Sequence, residues 1–135
     1  MKKAALCLGV LMAVTGVCFA GDNPVVGTWE VVSVAWTTAD GTEGTREAEG
    51  RSIKIYTESH FAVVGHNDEG EFSHAFAGEY VLEGDTVTEK LQKGSNPDVV
   101  GTETSHKFSI SGDEWRSTRV APNGTEIQEV WKRIE

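Results

Sequence analysis

The chain has 135 residues, of which 21 are acidic and 12 are lysine or arginine, so its formal net charge is −9. A surface this acidic repels nucleic-acid phosphates and anionic lipid headgroups, which argues against nucleic acid or a membrane surface as the partner. The length suits one domain with a single hydrophobic core that needs no disulfide to fold.

The amino-terminal residues 1–20 have the three parts of an export signal. A lysine pair is followed by an apolar stretch over 4–17 and then by a small-residue boundary that ends at Ala20. The apolar stretch is too short to prefer a bilayer-spanning helix. We therefore predict a signal peptide over 1–20 and an exported domain over 21–135, periplasmic or secreted, with no stable membrane insertion after cleavage.

Both cysteines, Cys7 and Cys18, lie within this predicted signal. Cleavage after Ala20 would leave a domain with no disulfide, no thiolate zinc site and no catalytic thiol. Lipid modification of Cys18 would require a leucine-like residue three positions earlier and a small residue directly before it. Thr15 and Val17 fit that pattern poorly, so we expect a domain without a lipid anchor.

The rest of the chain predicts β-structure throughout. No ten-residue window has the 3.6-residue periodicity of an amphipathic helix, whereas short runs rich in β-branched and aromatic residues alternate with glycine-containing turns. Eight runs are predicted strands, at 26–37, 51–57, 61–66, 71–82, 86–93, 102–110, 114–120 and 125–134. Tight turns join most of them and predict consecutive antiparallel hairpins. Two longer connections, 38–50 and 94–101, are predicted loops at an open end.

The first and last runs carry the most informative motif. Gly27, Thr28 and Trp29 open the first run, while Trp131 and Arg133 close the last. This pairing resembles the calycin superfamily, above all the lipocalins. The resemblance implies an all-β fold, an eight-stranded antiparallel up-and-down barrel whose interior can hold one small ligand. The domain departs from typical lipocalins in its shorter length, its lack of cysteines and the absence of a clear C-terminal helix.

These motif residues predict how one end of the barrel closes. Gly27 allows a sharp turn or a close backbone approach, and the indole of Trp29 can plug the end. Arg133 can stack on that ring and donate to nearby carbonyls. Trp131 is predicted to be a further residue that closes this end of the barrel. The simpler alternative is that Trp29 is an ordinary core aromatic residue.

Alternation along the remaining runs predicts which residues face inward. The clearest inward faces are Phe72, His74, Phe76, Gly78, Tyr80 and Leu82, and then Thr104, His106, Phe108 and Ile110. The same parity adds Ile53, Ile55, Phe61, Val63, Val87, Glu89, Leu91, Trp115, Ser117, Arg119, Ile127, Glu129 and Trp131. The first run is apolar on both sides, so its register cannot be read from the pattern.

Nine inward residues form the predicted ligand-binding site: His74, Phe76, Tyr80, Glu89, His106, Phe108, Trp115, Arg119 and Glu129. The polar members must be paired, because burying them otherwise costs several kcal/mol. Three interpretations stay open. In the first, the polar residues form a mutual network, such as Arg119 with Glu89 or Glu129. In the second, a shifted register places some of them outside the barrel. In the third, a mostly apolar pocket uses them to orient an amphipathic molecule, with Arg119 facing a carboxylate.

The predicted function is therefore non-enzymatic binding or carriage of a small hydrophobic or amphipathic ligand, with no cofactor. No nucleophile elbow, phosphate loop or dinucleotide fingerprint is present. A histidine beside Glu89 or Glu129 could shuttle a proton or join a metal site, but the histidine spacing does not favour a metal. A different class of function is an inhibitor or other protein-binding module, in which the acidic segment 40–49 contacts a cationic protein.

Overall fold

Nine β-strands form the regular structure of residues 22–135, which are the residues that the computed structural model describes. They are β1 (Gly27–Thr37), β2 (Glu43–Glu47), β3 (Ser52–Tyr56), β4 (His60–His66), β5 (Phe72–Glu83), β6 (Thr86–Gly94), β7 (Glu103–Ser111), β8 (Glu114–Val120) and β9 (Glu126–Arg133). The predicted signal peptide, with Cys7 and Cys18, lies outside the described residues. No helix within 22–135 is long and apolar enough to cross a membrane.

The sheet closes on itself. Each strand pairs antiparallel with the next from β3 to β9, and β1 pairs with both β3 and β9. The short strand β2 pairs with the second half of β1, at Ser33–Thr37, while β3 pairs with the first half, at Gly27–Glu30. Together β2 and β3 therefore occupy one position in the wall. The barrel has eight such positions, which confirms the predicted eight-stranded antiparallel up-and-down fold.

The prediction of a long loop over 38–50 was wrong. This segment contains β2, and Ala48, directly after it, is only 2% exposed. Trp36 of β1 lies over Gly44 of β2, where an added Cβ would stand 2.2 Å from the indole. The strand is short and almost entirely polar, so it has no hydrophobic alternation. It forms because its backbone pairs with β1.

The register of β1 changes at a bulge between Val31 and Ser33. Trp29 and Val31 are buried before the bulge, whereas Val34 and Trp36 line the interior after it. A β-bulge inserts one extra residue and so reverses which parity faces inward. This is why the first run is apolar on both sides.

The predicted inward face of β3 was also wrong. Lys54 and Tyr56 are 6% and 2% exposed, whereas Ile55 is 46% exposed. Ile53 and Ile55 instead lie outside, opposite Val64 and Ala62 of β4. The isoleucines pack against apolar neighbours on the outer face, and the lysine has an acidic partner inside the barrel. Hydrophobicity alone therefore predicted the wrong inward-facing residues of β3.

Candidate ligand-binding cavity

One end of the barrel is closed by the Gly27–Trp29–Arg133 contacts. The guanidinium of Arg133 lies 4.1 Å from the centroid of the Trp29 ring and donates to the carbonyls of Val26 (2.6 Å) and Pro24 (2.9 Å). The Trp29 indole is fully buried and donates to the Val25 carbonyl at 2.9 Å. At Gly27 φ is +139°, and a Cβ there would lie 2.4 Å from Arg133 Nη1, so a side chain would displace the arginine.

Aromatic rings fill the interior beside this closed end. Trp29 and Trp115 meet edge to face with centroids 5.1 Å apart, and Tyr56 and Tyr80 do so at 5.0 Å. Phe108 packs on Trp115 at 5.6 Å. Tyr80, Phe108 and Trp115, three of the predicted ligand-site residues, belong to this packing and do not line the cavity, so their contact with a ligand stays a prediction. Alternation identifies the inward face of a strand, but it does not say how deep along the barrel the packed core extends.

The other end of the barrel is open. The cavity, including its mouth, has a volume of about 1710 Å³. Its apolar walls come from five strands, from Ala48 directly after β2 and from the turn before β7: Val31, Val34, Ala48, Phe61, Val63, Phe76, Leu91, Val99, Ile127 and Trp131. Of the nine predicted ligand-site residues, six line this space: His74, Phe76, Glu89, His106, Arg119 and Glu129.

A buried polar cluster centred on Glu89 borders the deep part of the cavity. Its Oε1 accepts from Lys54 Nζ at 3.1 Å and from the Tyr56 hydroxyl, and its Oε2 lies 3.2 Å from His106 Nε2. The side chains of Lys54, Glu89 and His106 are only 5–7% exposed. Burial alone would raise the pKa of Glu89, but the Lys54 charge and the hydrogen bonds from His106 and Tyr56 outweigh it and hold that pKa well below its usual range.

Aromatic faces complete the surroundings of Lys54. Its ammonium lies 5.0 Å from the centroid of the Trp131 ring and 5.8 Å from that of Tyr56, distances at which a cation is attracted to the π face. The Trp131 indole in turn donates to Glu129 at 3.3 Å. Burial and the neighbouring Glu89 charge raise the pKa of Tyr56 well above its usual value. The tyrosine therefore remains a neutral donor to Glu89.

Lys54 was not among the predicted site residues, and its pairing with Glu89 differs from the network suggested by the sequence. The predicted network paired Arg119 with Glu89 or Glu129, whereas Glu89 pairs with Lys54. The available signal was a lysine in the middle of the apolar run Ile53–Tyr56, where a charge on the inward face would require an acidic partner on another strand.

Two polar side chains stand nearer the mouth. His74 packs parallel to Phe76 at 6.1 Å, and partial burial lowers the pKa of His74, which favours the neutral ring near pH 7. Arg119 is half-buried in the cavity wall. Every ion pair within residues 22–135 involves a cation other than Arg119, so the Arg119 guanidinium takes part in none of them. Arg119 is thus a cavity cation without a protein counter-ion in the described part of the chain.

Two other predicted features can be located. The acidic segment 40–49 places Glu43 and Glu47 on the exposed strand β2, and Glu49 lies 3.6 Å from Lys132. It is therefore not the free mouth loop that the inhibitor hypothesis assumed. Across the described residues, no three histidine, cysteine, aspartate or glutamate side chains are grouped closely enough to hold a metal ion.

Comparison with known proteins relates this geometry to solved barrels. The crystal structure of a lipocalin-like protein from Bacteroides uniformis matches with a TM-score of 0.54 at 16% sequence identity, over 82% of this chain and 98% of that chain. That of an uncharacterized protein from Bacteroides eggerthii matches with a TM-score of 0.52 at 16% identity, over 81% of this chain and 98% of that chain. These similarities confirm the predicted lipocalin-like fold.

Comparison with curated proteins gives no significant match. At the level of sequence families, residues 24–135 match the family described as "Domain of unknown function (DUF4488)". The match begins after the predicted signal peptide and continues to the last residue, so it includes every strand of the barrel. The chain therefore belongs to the DUF4488 family, and its fold is that of the lipocalin-like barrels.

Proposed function

We propose that this protein is an exported, non-enzymatic binding protein that holds a small amphipathic molecule in its barrel cavity. The observation that carries the proposal is the cavity itself: one end of the barrel is sealed by packed aromatic rings, while the other opens to a space with mostly aliphatic and aromatic walls. Concave, largely apolar sites with a few polar groups are the usual form of small-molecule sites. Export is supported by the signal-like residues 1–20.

The polar groups of the cavity support an amphipathic ligand over a purely apolar one. Lys54, Glu89 and His106 satisfy one another and so form a fixed polar floor. Arg119 and His74 lie nearer the mouth, and Arg119 has no counter-ion within 22–135. A ligand with one polar end can contact these groups while its apolar part packs against the aliphatic walls. Neither the polar groups of the cavity nor the polar end of the ligand is then buried without a partner.

A binding titration tests the proposal. The probe is a dansyl-labelled undecanoic acid, whose fluorescence rises in an apolar site. We expect saturable binding to the wild-type protein. Val34→Trp places an indole into the cavity and should weaken binding by at least about tenfold, which corresponds to about 1.4 kcal/mol. Val81→Trp is the matched control, because Val81 is 45% exposed and lies outside the cavity.

The control should bind within twofold of wild type. The absence of saturable binding, or an equal effect of the two substitutions, would contradict the proposal. Circular dichroism of both variants, showing the β-spectrum of the wild type, separates a filled cavity from a misfolded barrel.

A further inference from the structure

The barrel wall has a slit between β7 and β8. The two strands pair only from Lys107 and Thr118 to Ser111 and Glu114. Toward the mouth, residues 103–106 of β7 continue to pair with β6, and 119–120 of β8 with β9, but not with each other. We call this opening, bounded by 103–106 and 119–120, the side slit.

The cavity continues through the side slit. Successive residues of a strand point to opposite faces of a sheet. On β7, the inward His106 and the outward Ser105 and Lys107 all border the same cavity, and on β8 so do the inward Arg119 and the outward Val120. The rim of the mouth could bring Ser105 and Val120 to this space, but Lys107 lies at the inner end of the unpaired stretch. The space therefore extends along the opening between the two strands.

The side slit places a cation at its inner edge. If the β7–β8 register continued toward the mouth, Arg119 would lie opposite His106, and Val120 opposite Ser105. The Arg119 guanidinium has no ion-pair partner among the described residues, whereas His106 is already hydrogen-bonded to Glu89. A planar guanidinium binds a carboxylate through two parallel hydrogen bonds, which gives geometric specificity as well as energy.

The charges around the slit favour a carboxylate over a more highly charged headgroup. Glu103 and Glu126 border the same cavity, and the parity of their strands places them on the outer face. Their charges oppose a doubly charged phosphate more strongly than a singly charged carboxylate, because the repulsion scales with the ligand charge. Lys107 is the cation on this outer face, and the two glutamates outnumber it. One guanidinium inside this net acidic rim therefore suits a headgroup with one negative charge.

We propose that the side slit is the entry route of the amphipathic ligand, and that Arg119 binds the ligand's carboxylate there while its apolar part lies in the cavity. This inference rests on the proposed function, since it assumes that the cavity binds an amphiphile. It adds the path by which the ligand enters, the residue that recognises its headgroup and the chemical class of that headgroup.

The entry route is tested by closing the slit. Ser105→Cys with Val120→Cys places two cysteines across it, and Ser109→Cys with Arg116→Cys is the matched pair on residues of β7 and β8 that already face each other. Both pairs are made in a full chain carrying Cys7→Ser and Cys18→Ser, so that no other thiol competes. Where oxidation does not join the first pair, a short bis-maleimide closes the same gap.

Stopped-flow mixing with the dansyl fatty acid gives the association rate. Closing the Ser105–Val120 pair should slow association at least about tenfold, and reduction of the disulfide should restore it. Closing the Ser109–Arg116 pair should change the rate less than twofold. Equal rates with the slit closed and open would overturn the entry route.

The headgroup contact is tested by comparing two probes, the dansyl fatty acid and its primary alcohol, which lacks the charge. Arg119→Gln should weaken the acid at least about tenfold and the alcohol less than twofold. Arg116→Gln is the matched control on the same strand, because Arg116 is 63% exposed and pairs with Glu114 at 2.7 Å. It should leave both affinities unchanged.

The two levels of the proposal fail in different ways. If neither probe binds wild-type protein, the proposed function itself is contradicted. If both bind but Arg119→Gln weakens acid and alcohol equally, the cavity remains a binding site and the carboxylate contact is refuted. If a phosphate-headed analogue binds more tightly than the acid and loses more affinity in Arg119→Gln, the assignment of a carboxylate is wrong.

Discussion

Glu89→Gln tests whether the buried cluster is an interdependent charge network. The substitution keeps the size of the side chain but removes its charge. Lys54, whose side chain is 7% exposed, then has no counter-ion within hydrogen-bond distance. Removing one partner of a buried ion pair leaves an uncompensated charge and costs about 3–5 kcal/mol. The aromatic faces beside Lys54 offset part of this cost, since a desolvated cation–π contact contributes about 2 kcal/mol.

We therefore expect Glu89→Gln to lower the free energy of unfolding by about 3 kcal/mol or more. Lys54→Met should cost about as much, because it leaves the Glu89 carboxylate buried without its cation. The double variant should be no less stable than either single variant, since it removes both charges together and leaves the glutamine amide to bond with Tyr56 and His106. The two substitutions are thus expected to be strongly non-additive.

Urea unfolding followed by tryptophan fluorescence measures these differences, because Trp29 and Trp115 are buried and Trp131 contacts the cluster. The control is Glu114→Gln, which breaks the exposed pair with Arg116 and should cost less than about 1 kcal/mol. A loss below about 1 kcal/mol for Glu89→Gln, or additive losses in the double variant, would refute the network.

Two further predictions follow from the cluster and the closed end. The folded state holds the pKa of Glu89 below its usual value, so the unfolded state binds more protons in acid and stability should fall as the pH drops below about 4.5. Urea unfolding between pH 3 and 7 should show a shallower fall in stability for the Lys54→Met and Glu89→Gln double variant than for wild type. Parallel curves for the two proteins would contradict this. Trp29→Ala should cost about 3–5 kcal/mol, and Arg133→Ala about 1–3 kcal/mol. The Arg133 variant should bind the dansyl fatty acid as wild type does, whereas a Trp29→Ala loss below about 1 kcal/mol would remove that residue from the core.

The sequence alone determined the class of fold and the position of most strands. Alternating apolar residues and glycine-bearing turns are local signals, and the eight predicted runs coincide closely with the observed strands apart from β2. The lipocalin-like motif added closure of the barrel, which alternation cannot supply. Inward parity was also readable where one face of a strand was clearly apolar, as on β7 and on β5 from His74 onward, because a one-residue shift would expose that whole face. Phe72, which was predicted to face inward, is instead 63% exposed, at the point where the register between β4 and β5 shifts.

Tertiary structure alone decided the features that depend on distant partners. β2 is polar and forms only because β1 offers a backbone to pair with. Lys54 faces inward because Glu89, 35 residues away, neutralises it. Neither the depth of the aromatic core nor the separation of β7 from β8 has a local pattern, since each depends on how the whole barrel closes. A buried charge or an open wall is stable or unstable according to what lies across the barrel, and a linear pattern of hydrophobicity does not contain that information.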